Sequence, residues 1–239
     1  MSTPTFAELF MAHTGNVSSK WVQYLEVYER FFAPYRNKPC KILEIGVQNG
    51  GSLQLYQKYF PLAEKIVGVD IDPKCKRVES DNIFIEIGSQ ADRDFLSDVD
   101  DMHGPFDIVI DDGSHVFEHQ IASFDTLFPR MSPTAVYIVE DTHTSYLPDF
   151  EGGIRKPDTF IEYGKHVLDQ VNAPFFADPN SRAEWLAEHL YSVSFYDSMV
   201  VFEKRPKAAP FVLAIGAEGH RQVPVFQDLA FFRRKRSLL

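Results

Sequence analysis

Two apolar runs in this chain each end in paired acids. Phe106–Ile110 leads into Asp111-Asp112-Gly113-Ser114-His115, and Ala135–Val139 leads into Glu140-Asp141-Thr142-His143. Side chains at neighbouring strand ends can converge, and three or four carboxylates gathered there repel one another unless a cation sits among them. His115, three residues after Asp112, adds a group that titrates near neutral pH. Acids and an imidazole at strand ends point to a metal-assisted active site.

A second constellation lies earlier. The run Lys41–Ile45 opens into Gly46-Val47-Gln48-Asn49-Gly50-Gly51-Ser52, and Ile66–Val69 ends at Asp70-Ile71-Asp72. Glycines let the backbone turn sharply and approach a ligand closely, with the next helix presenting its N-terminus. An acid closing the following strand can accept hydrogen bonds from both hydroxyls of a ribose. Dinucleotide sites ask for Gly-x-Gly-x-x-Gly to cradle a pyrophosphate. This chain instead has Gly46-x-x-x-Gly50-Gly51 with Glu44 before it, which suits a ligand with an amino-acid end and no phosphates: S-adenosylmethionine. The third run closes with Gly88-Ser89-Gln90, whose polar groups either meet the adenine edge or, for Ser89, cap a helix. Glu44, Gly46, Gly50, Ser52, Asp70, Ser89 and Gln90 are thus the candidate donor-binding residues.

The elements that must position these groups read as a doubly wound α/β fold. Lys41–Ile45, Ile66–Val69, Ile83–Ile87, Phe106–Ile110 and Ala135–Val139 are continuous rather than alternating, as strands buried on both faces of a parallel sheet are. Between them, Leu55, Tyr56, Tyr59 and Phe60 fit one helix face, and Phe117, Ile121, Phe124 and Phe128 another. Trp21, Tyr24, Leu25, Tyr28 and Phe32 place an aromatic, core-packing helix ahead of the first strand. Ser181 and Glu184 form a capping-box pattern for a helix running through Leu190. Tyr191–Tyr196, the turn Asp197-Ser198 and Met199–Glu203 predict a hairpin that adds antiparallel strands to the sheet, as in the Rossmann-like, seven-stranded class I methyltransferase fold. The whole reads as one domain: an aromatic helical segment over 1–38, a core over 39–206 and an extension over 207–239.

Composition narrows the partners. The chain has 239 residues, 44% of them hydrophobic, which suits a single soluble domain. A net charge of −10 argues against a nucleic-acid partner. The apolar runs are strand-sized, so none is expected to span a membrane, and Met1–Thr5 lacks the pattern of a signal peptide. Cys40 and Cys75 are too few for a disulfide framework. The expectation is a reduced, cytoplasmic protein acting on a small molecule. Its basic run Arg233–Arg236 reads as a solvated terminus, while the aromatic N-terminal helix and Phe211–Ile215 are the candidate contacts of a homo-oligomer.

Leu43–Ser52, Val69–Asp72, Asp107–His115 and Val139–Phe150 together resemble the metal-dependent O-methyltransferases that act on macrolide and aminocoumarin sugars, and the related cephalosporin-hydroxylase-like group. The likeness spans residues 13–205, and its most specific part is the Ile-Asp-Asp-Gly-Ser-His block with the later Glu-Asp pair. It implies a class I fold, S-adenosylmethionine as methyl donor, and Mg²⁺ held by Asp112, Glu140 and Asp141. It also implies His115 as general base, which the spacing sets in the first turn of a helix, and a sugar hydroxyl as acceptor. Such a donor is already activated by its positive sulfur, so the protein's work is alignment and deprotonation. Asp111 then falls to the donor side or to capping. His119 and His143 are structural or substrate-lining, and Tyr146 joins His143 as a substrate candidate. The loop Thr142–Lys156 that carries both is either a lid or a surface connection. Two departures stand out: Ser89 replaces the family's acid after Gly88, and Thr14–Tyr28 matches loosely. The rival readings are a catechol-type acceptor and a non-catalytic S-adenosylmethionine-binding module; the intact acid pairs and His115 speak against the second.

Overall fold

The structure, a computed structural model, describes residues 3–176 and 180–208 together with the backbone of 211–214 and 221–224. The continuous apolar runs become strands: β1 (Cys40–Ile45), β2 (Ala63–Asp70), β3 (Ile83–Ile87), β4 (Ile108–Asp111) and β5 (Ala135–Val139). The hairpin supplies β6 (Leu190–Tyr196) and β7 (Met199–Lys204). Across the sheet they run β3-β2-β1-β4-β5-β7-β6, parallel except that β7 is antiparallel to both β5 and β6. The strand order reverses between β1 and β4. In an open α/β sheet that switch point leaves a crevice at the carboxyl ends of the strands, which is where ligands bind. A separate pair, β8 (Phe211–Ala214) with β9 (Arg221–Pro224), takes up most of the predicted Phe211–Ile215 contact segment. The basic run Arg233–Arg236 lies outside the described residues.

Strand pleating divides the core in two. Ile42, Ile66, Ile108 and Ile138 face one side, against rings from α1 (Phe6–Met11), α2 (Tyr24–Phe32) and α3 (Gly51–Tyr59). Leu43, Val67, Val109 and Tyr137 face the other, against α4 (Arg93–His103), α5 (Phe117–Leu127), α6 (Phe160–Gln170) and α7 (Ser181–His189). On the first side Phe6, Tyr28, Phe32, Tyr56 and Tyr59 form one aromatic cluster, worth about 0.5–1.5 kcal/mol per well-oriented pair beyond simple burial.

Three expectations are corrected here. The aromatic helix starts at Tyr24, so Trp21 lies outside it and is 44% exposed rather than packed in the core. The cap of α7 is Asn180, whose side chain accepts from Ala183 N, one residue before the expected Ser181. β4 begins at Ile108 rather than Phe106; Phe106 is still buried, ahead of the ladder. Among the described residues no helix is long and apolar enough to cross a membrane.

Lys204, the last residue of β7, is buried with no carboxylate on its ammonium among the described residues. Its Nζ donates to the carbonyls of Pro129 and Met131 at 2.9 and 2.7 Å, beneath the rings of Phe128 and Trp185. Burial, opposed by Asp100, pushes it down to about 8. In the unfolded chain it titrates at about 10.4, so between those values the unfolded state binds more protons and folding gains stability as pH rises. Lys204→Met is expected to remove that gain: the difference in urea midpoint between wild type and variant should shift in favour of wild type from pH 7.5 to 9.5. A pH-independent difference would refute it.

Candidate active site

The turn after β1 is built around two glycines in the left-handed region. At Gly46 (φ +95°) a Cβ would sit 2.1 Å from the carbonyl oxygen of Asp112, and at Gly50 (φ +79°) 2.3 Å from Val78 Cγ1. The first contact shows the purpose: the glycine turn and the acidic end of β4 touch, with no room for a side chain between them. Asp70 braces the same turn, its Oδ2 accepting from Val47 N and Gln48 N at 2.9 and 3.0 Å and its Oδ1 from Asp72 N at 2.9 Å. Burial would raise the Asp70 carboxyl, but these backbone bonds outweigh it and hold the group below its ordinary range. Oδ2 has both lone pairs engaged by these bonds, while Oδ1, with one backbone bond, keeps a lone pair for a ligand hydroxyl.

Asp70 lines a cavity of about 290 Å³ with Gly46, Gln48, Ser89, Gln90, Asp112 and His119. The predicted donor residues meet there with exceptions. Glu44 lies beneath the site, 1% exposed, with Tyr56 OH donating to its Oε1 at 2.9 Å and its Oε2 unpartnered among the described residues; burial, opposed mainly by Lys20, pushes it up to about 7. Gly50 shapes the turn without lining the cavity. Gln90 reaches the wall, but its amide is committed: Nε2 donates to Asp111 and to Ser123 Oγ, and Oε1 accepts from Ser114 N at 2.6 Å. Ser89 Oγ accepts from Ala91 N at 3.2 Å, closing a turn, while Asp92 caps α4. Asp111 is fully buried under the floor, and burial raises it to about 7 against the bonds from Gln90 and Gly113.

A second cavity, of about 250 Å³, shares Gly46, Gln48 and Asp112 with the first, and adds Ser18, Lys20, Trp21, Ser52, His115 and Asp141. Ligand atoms of Asp112, His115 and Asp141 lie within 4.8 Å of one another on its wall. Strand pleating explains the choice at the end of β4: Asp111 points into the core and Asp112 out to the cleft. His115 Nε2 is 3.5 Å from Asp141 Oδ2, and its Nδ1 is buried without a partner among the described residues. His115 precedes the helix rather than opening it, since α5 begins at Phe117. Gln48, His115 and Asp141 all adopt left-handed backbone, at φ +48°, +57° and +54°. Each such residue costs of order 1 kcal/mol or more, and such strain clusters at functional turns.

Glu140 does not join the trio. Its Oε1 is held by Lys20 Nζ at 2.9 Å and by Tyr28 OH, while the same ammonium reaches Asp112 Oδ2 at 2.6 Å and Glu44 Oε1 at 3.6 Å. Burial alone would push Lys20 down, but Glu140, Tyr28 and Asp112 outweigh it and hold it well above its ordinary value. Sequence reading missed Lys20: a lone lysine in a polar loop looks solvated, and its partners are 92 and 120 residues away. It also missed Tyr24, whose hydroxyl donates to Asp141 Oδ1 at 2.7 Å, and Ser198, whose Oγ is 2.5 Å from His143 Nδ1. His119 Nδ1 sits 2.9 Å from Ser114 Oγ on the donor side. Tyr146 is 48% exposed and lines neither cavity.

Three carboxylates, Glu44, Asp112 and Glu140, therefore meet one lysine, and Asp112 with His115 and Asp141 forms a group that could hold a divalent cation. Hard Mg²⁺ prefers carboxylate oxygen to imidazole nitrogen, so Asp112 and Asp141 fit it and His115 stays available.

A sheet in this order, with a glycine turn after β1, an acid closing β2 and acidic ends on β4 and β5, is that of a class I methyltransferase. Residues 43–142 match the family described as a methyltransferase domain. The chain is 37% identical over 203 residues to the 8-demethyl-8-(2-methoxy-alpha-L-rhamnosyl)-tetracenomycin-C 3'-O-methyltransferase of Streptomyces olivaceus, covering 80% of this chain and 52% of the relative. It is 35% identical to the mycinamicin VI 2''-O-methyltransferase of Micromonospora griseorubida, covering 74% and 47%. The solved MycE methyltransferase of the mycinamycin pathway, in complex with Mg and SAH, superposes with a TM-score of 0.77 at 32% identity, over 86% of this chain and 55% of that one. The chain thus spans about half the length of the curated relatives it matches.

Proposed function

We propose that the chain transfers a methyl group from S-adenosylmethionine to a hydroxyl of a sugar or glycosylated small molecule, with Mg²⁺ at the acidic strand ends. The observation that carries this reading is the convergence of Asp112, His115 and Asp141 within 4.8 Å, in a cavity that meets the Asp70 cavity at Gly46, Gln48 and Asp112. The relatives support the acceptor class, since their names specify a rhamnosyl-tetracenomycin and mycinamicin VI as substrates, and MycE was solved with Mg, SAH and mycinamycin VI.

Asp70, at the mouth of the glycine turn, takes a ribose hydroxyl on its Oδ1. Asp112 and Asp141 hold the cation, with Glu140 behind them as the counter-charge of Lys20. When bound, Mg²⁺ supplies Lewis-acid polarisation of the acceptor hydroxyl. His115 Nε2 takes the hydroxyl proton as the oxygen attacks the methyl carbon; the carbon–sulfur bond breaks and its electrons return to sulfur. Most of the barrier is met by alignment, since the donor carries its own leaving group.

The test is an acceptor screen with S-adenosylmethionine and Mg²⁺, read by mass. A deoxyhexose glycoside is expected to gain one methylene, and a catechol none. Donor binding with no product from any glycoside would leave only a binding module, and a methylated catechol would favour the rival acceptor.

A further inference from the structure

Of the predicted apolar stripe Trp21, Tyr24, Leu25, Tyr28 and Phe32, Trp21 is the one residue that the fold does not bury. Its ring lies 6.0 Å from Tyr24 at an interplanar angle of 12° and 4.8 Å from His143 at 32°. Both neighbours are fixed in turn: Tyr24 OH donates to Asp141 Oδ1 and to the carbonyl of Ser198, and His143 Nδ1 is 2.5 Å from Ser198 Oγ. The indole is therefore held by a chain of contacts that ends on a proposed cation ligand. It nevertheless remains 44% exposed, at the wall of the cavity that contains Asp112, His115 and Asp141. A large aromatic ring left open to water in this way forgoes part of its burial energy. Pre-ordering it costs a ligand little entropy on binding.

Building on the proposed sugar acceptor, we infer that Trp21 is a specificity-determining platform: the apolar C–H face of a pyranose stacks on the indole and so sets one ring hydroxyl toward Asp112 and Asp141. The negative face of the indole attracts the polarised C–H bonds of a sugar ring, and flat apolar contact adds to that. The carboxylates and His115 supply the polar half of the site. A platform that positions the ring without touching the reacting atoms contributes equally to bound substrate and transition state, so its loss should appear in KM rather than in kcat.

The sequence has two tryptophans, so Trp185→Phe leaves Trp21 as the only reporter. Methyl α-L-rhamnopyranoside is expected to quench that fluorescence saturably in the full chain carrying Mg²⁺ and S-adenosylhomocysteine. Trp21→Ala should raise the KM for the glycoside about tenfold with kcat and S-adenosylhomocysteine affinity little changed, and Trp21→Phe should recover most of the loss. Unchanged KM in Trp21→Ala, in an enzyme that methylates the glycoside, overturns the platform and leaves the proposed function standing. Wild-type protein that binds S-adenosylhomocysteine but neither quenches with nor methylates any glycoside overturns both. A loss of S-adenosylhomocysteine affinity in Trp21→Ala overturns the platform by placing the ring on the donor.

Discussion

His115→Asn is expected to lower turnover by about 10²–10⁴-fold, the usual worth of a positioned general base, while S-adenosylhomocysteine affinity stays unchanged. Asparagine is the informative replacement because His115 sits at φ +57°. Asparagine tolerates that conformation, whereas alanine would add backbone strain to the loss of the imidazole. The residue lies 3.5 Å from Asp141 Oδ2 and lines the second cavity rather than the donor cavity, so the effect falls on the chemical step. Single-turnover mixing of enzyme, donor and glycoside measures it, and turnover within a few-fold of wild type would remove His115 as the base.

Lys20→Met is expected to cost about 3–5 kcal/mol of stability, as breaking one side of a buried ion pair does. The Lys20 side chain is 3% exposed and its ammonium faces Asp112, Glu140 and Glu44. Methionine fills much of the volume but leaves three carboxylates facing one another with no internal cation. In a domain of this size the loss should lower the melting temperature by about 10 °C. Millimolar Mg²⁺ should restore part of it, because a divalent cation can take over the neutralisation. Calorimetry of wild type and variant, with and without Mg²⁺, reads both effects; an unchanged melting temperature would show that the lysine is dispensable.

Much of this site is legible in the sequence because parallel strands buried on both faces announce themselves. Ile83–Ile87 and Ala135–Val139 have the expected bounds, and their neighbours differ by a few residues at the ends. The strand ends then fix where the glycine turn, Asp70, Asp112 and Asp141 must lie, and period-two pleating separates Asp111 from Asp112. Periodicity says less about where a helix begins. Trp21 falls on the same helical stripe as Tyr24, Leu25 and Tyr28, yet the helix starts after it, so a residue read as core is open at the cavity. Long-range charge pairing is least visible. Nothing adjacent to Lys20 marks it as the partner of Glu140, and that pairing sets Glu140 apart from the trio. Gln90 illustrates the same limit: its place at the end of β3 was readable, but its amide is spent on Asp111, Ser123 and Ser114 rather than left for adenine.

The metal dependence of methyl transfer is the decisive measurement. Protein stripped with a chelator and supplied with isotopically labelled S-adenosylmethionine and a deoxyhexose glycoside should give no labelled product, and added Mg²⁺ should restore it. Asp141→Asn should respond weakly to Mg²⁺, since it removes one of the two proposed carboxylate ligands while keeping a residue that tolerates φ +54°. Equal product before and after chelation would contradict a cation at Asp112 and Asp141, and with it the role given to the acidic strand ends.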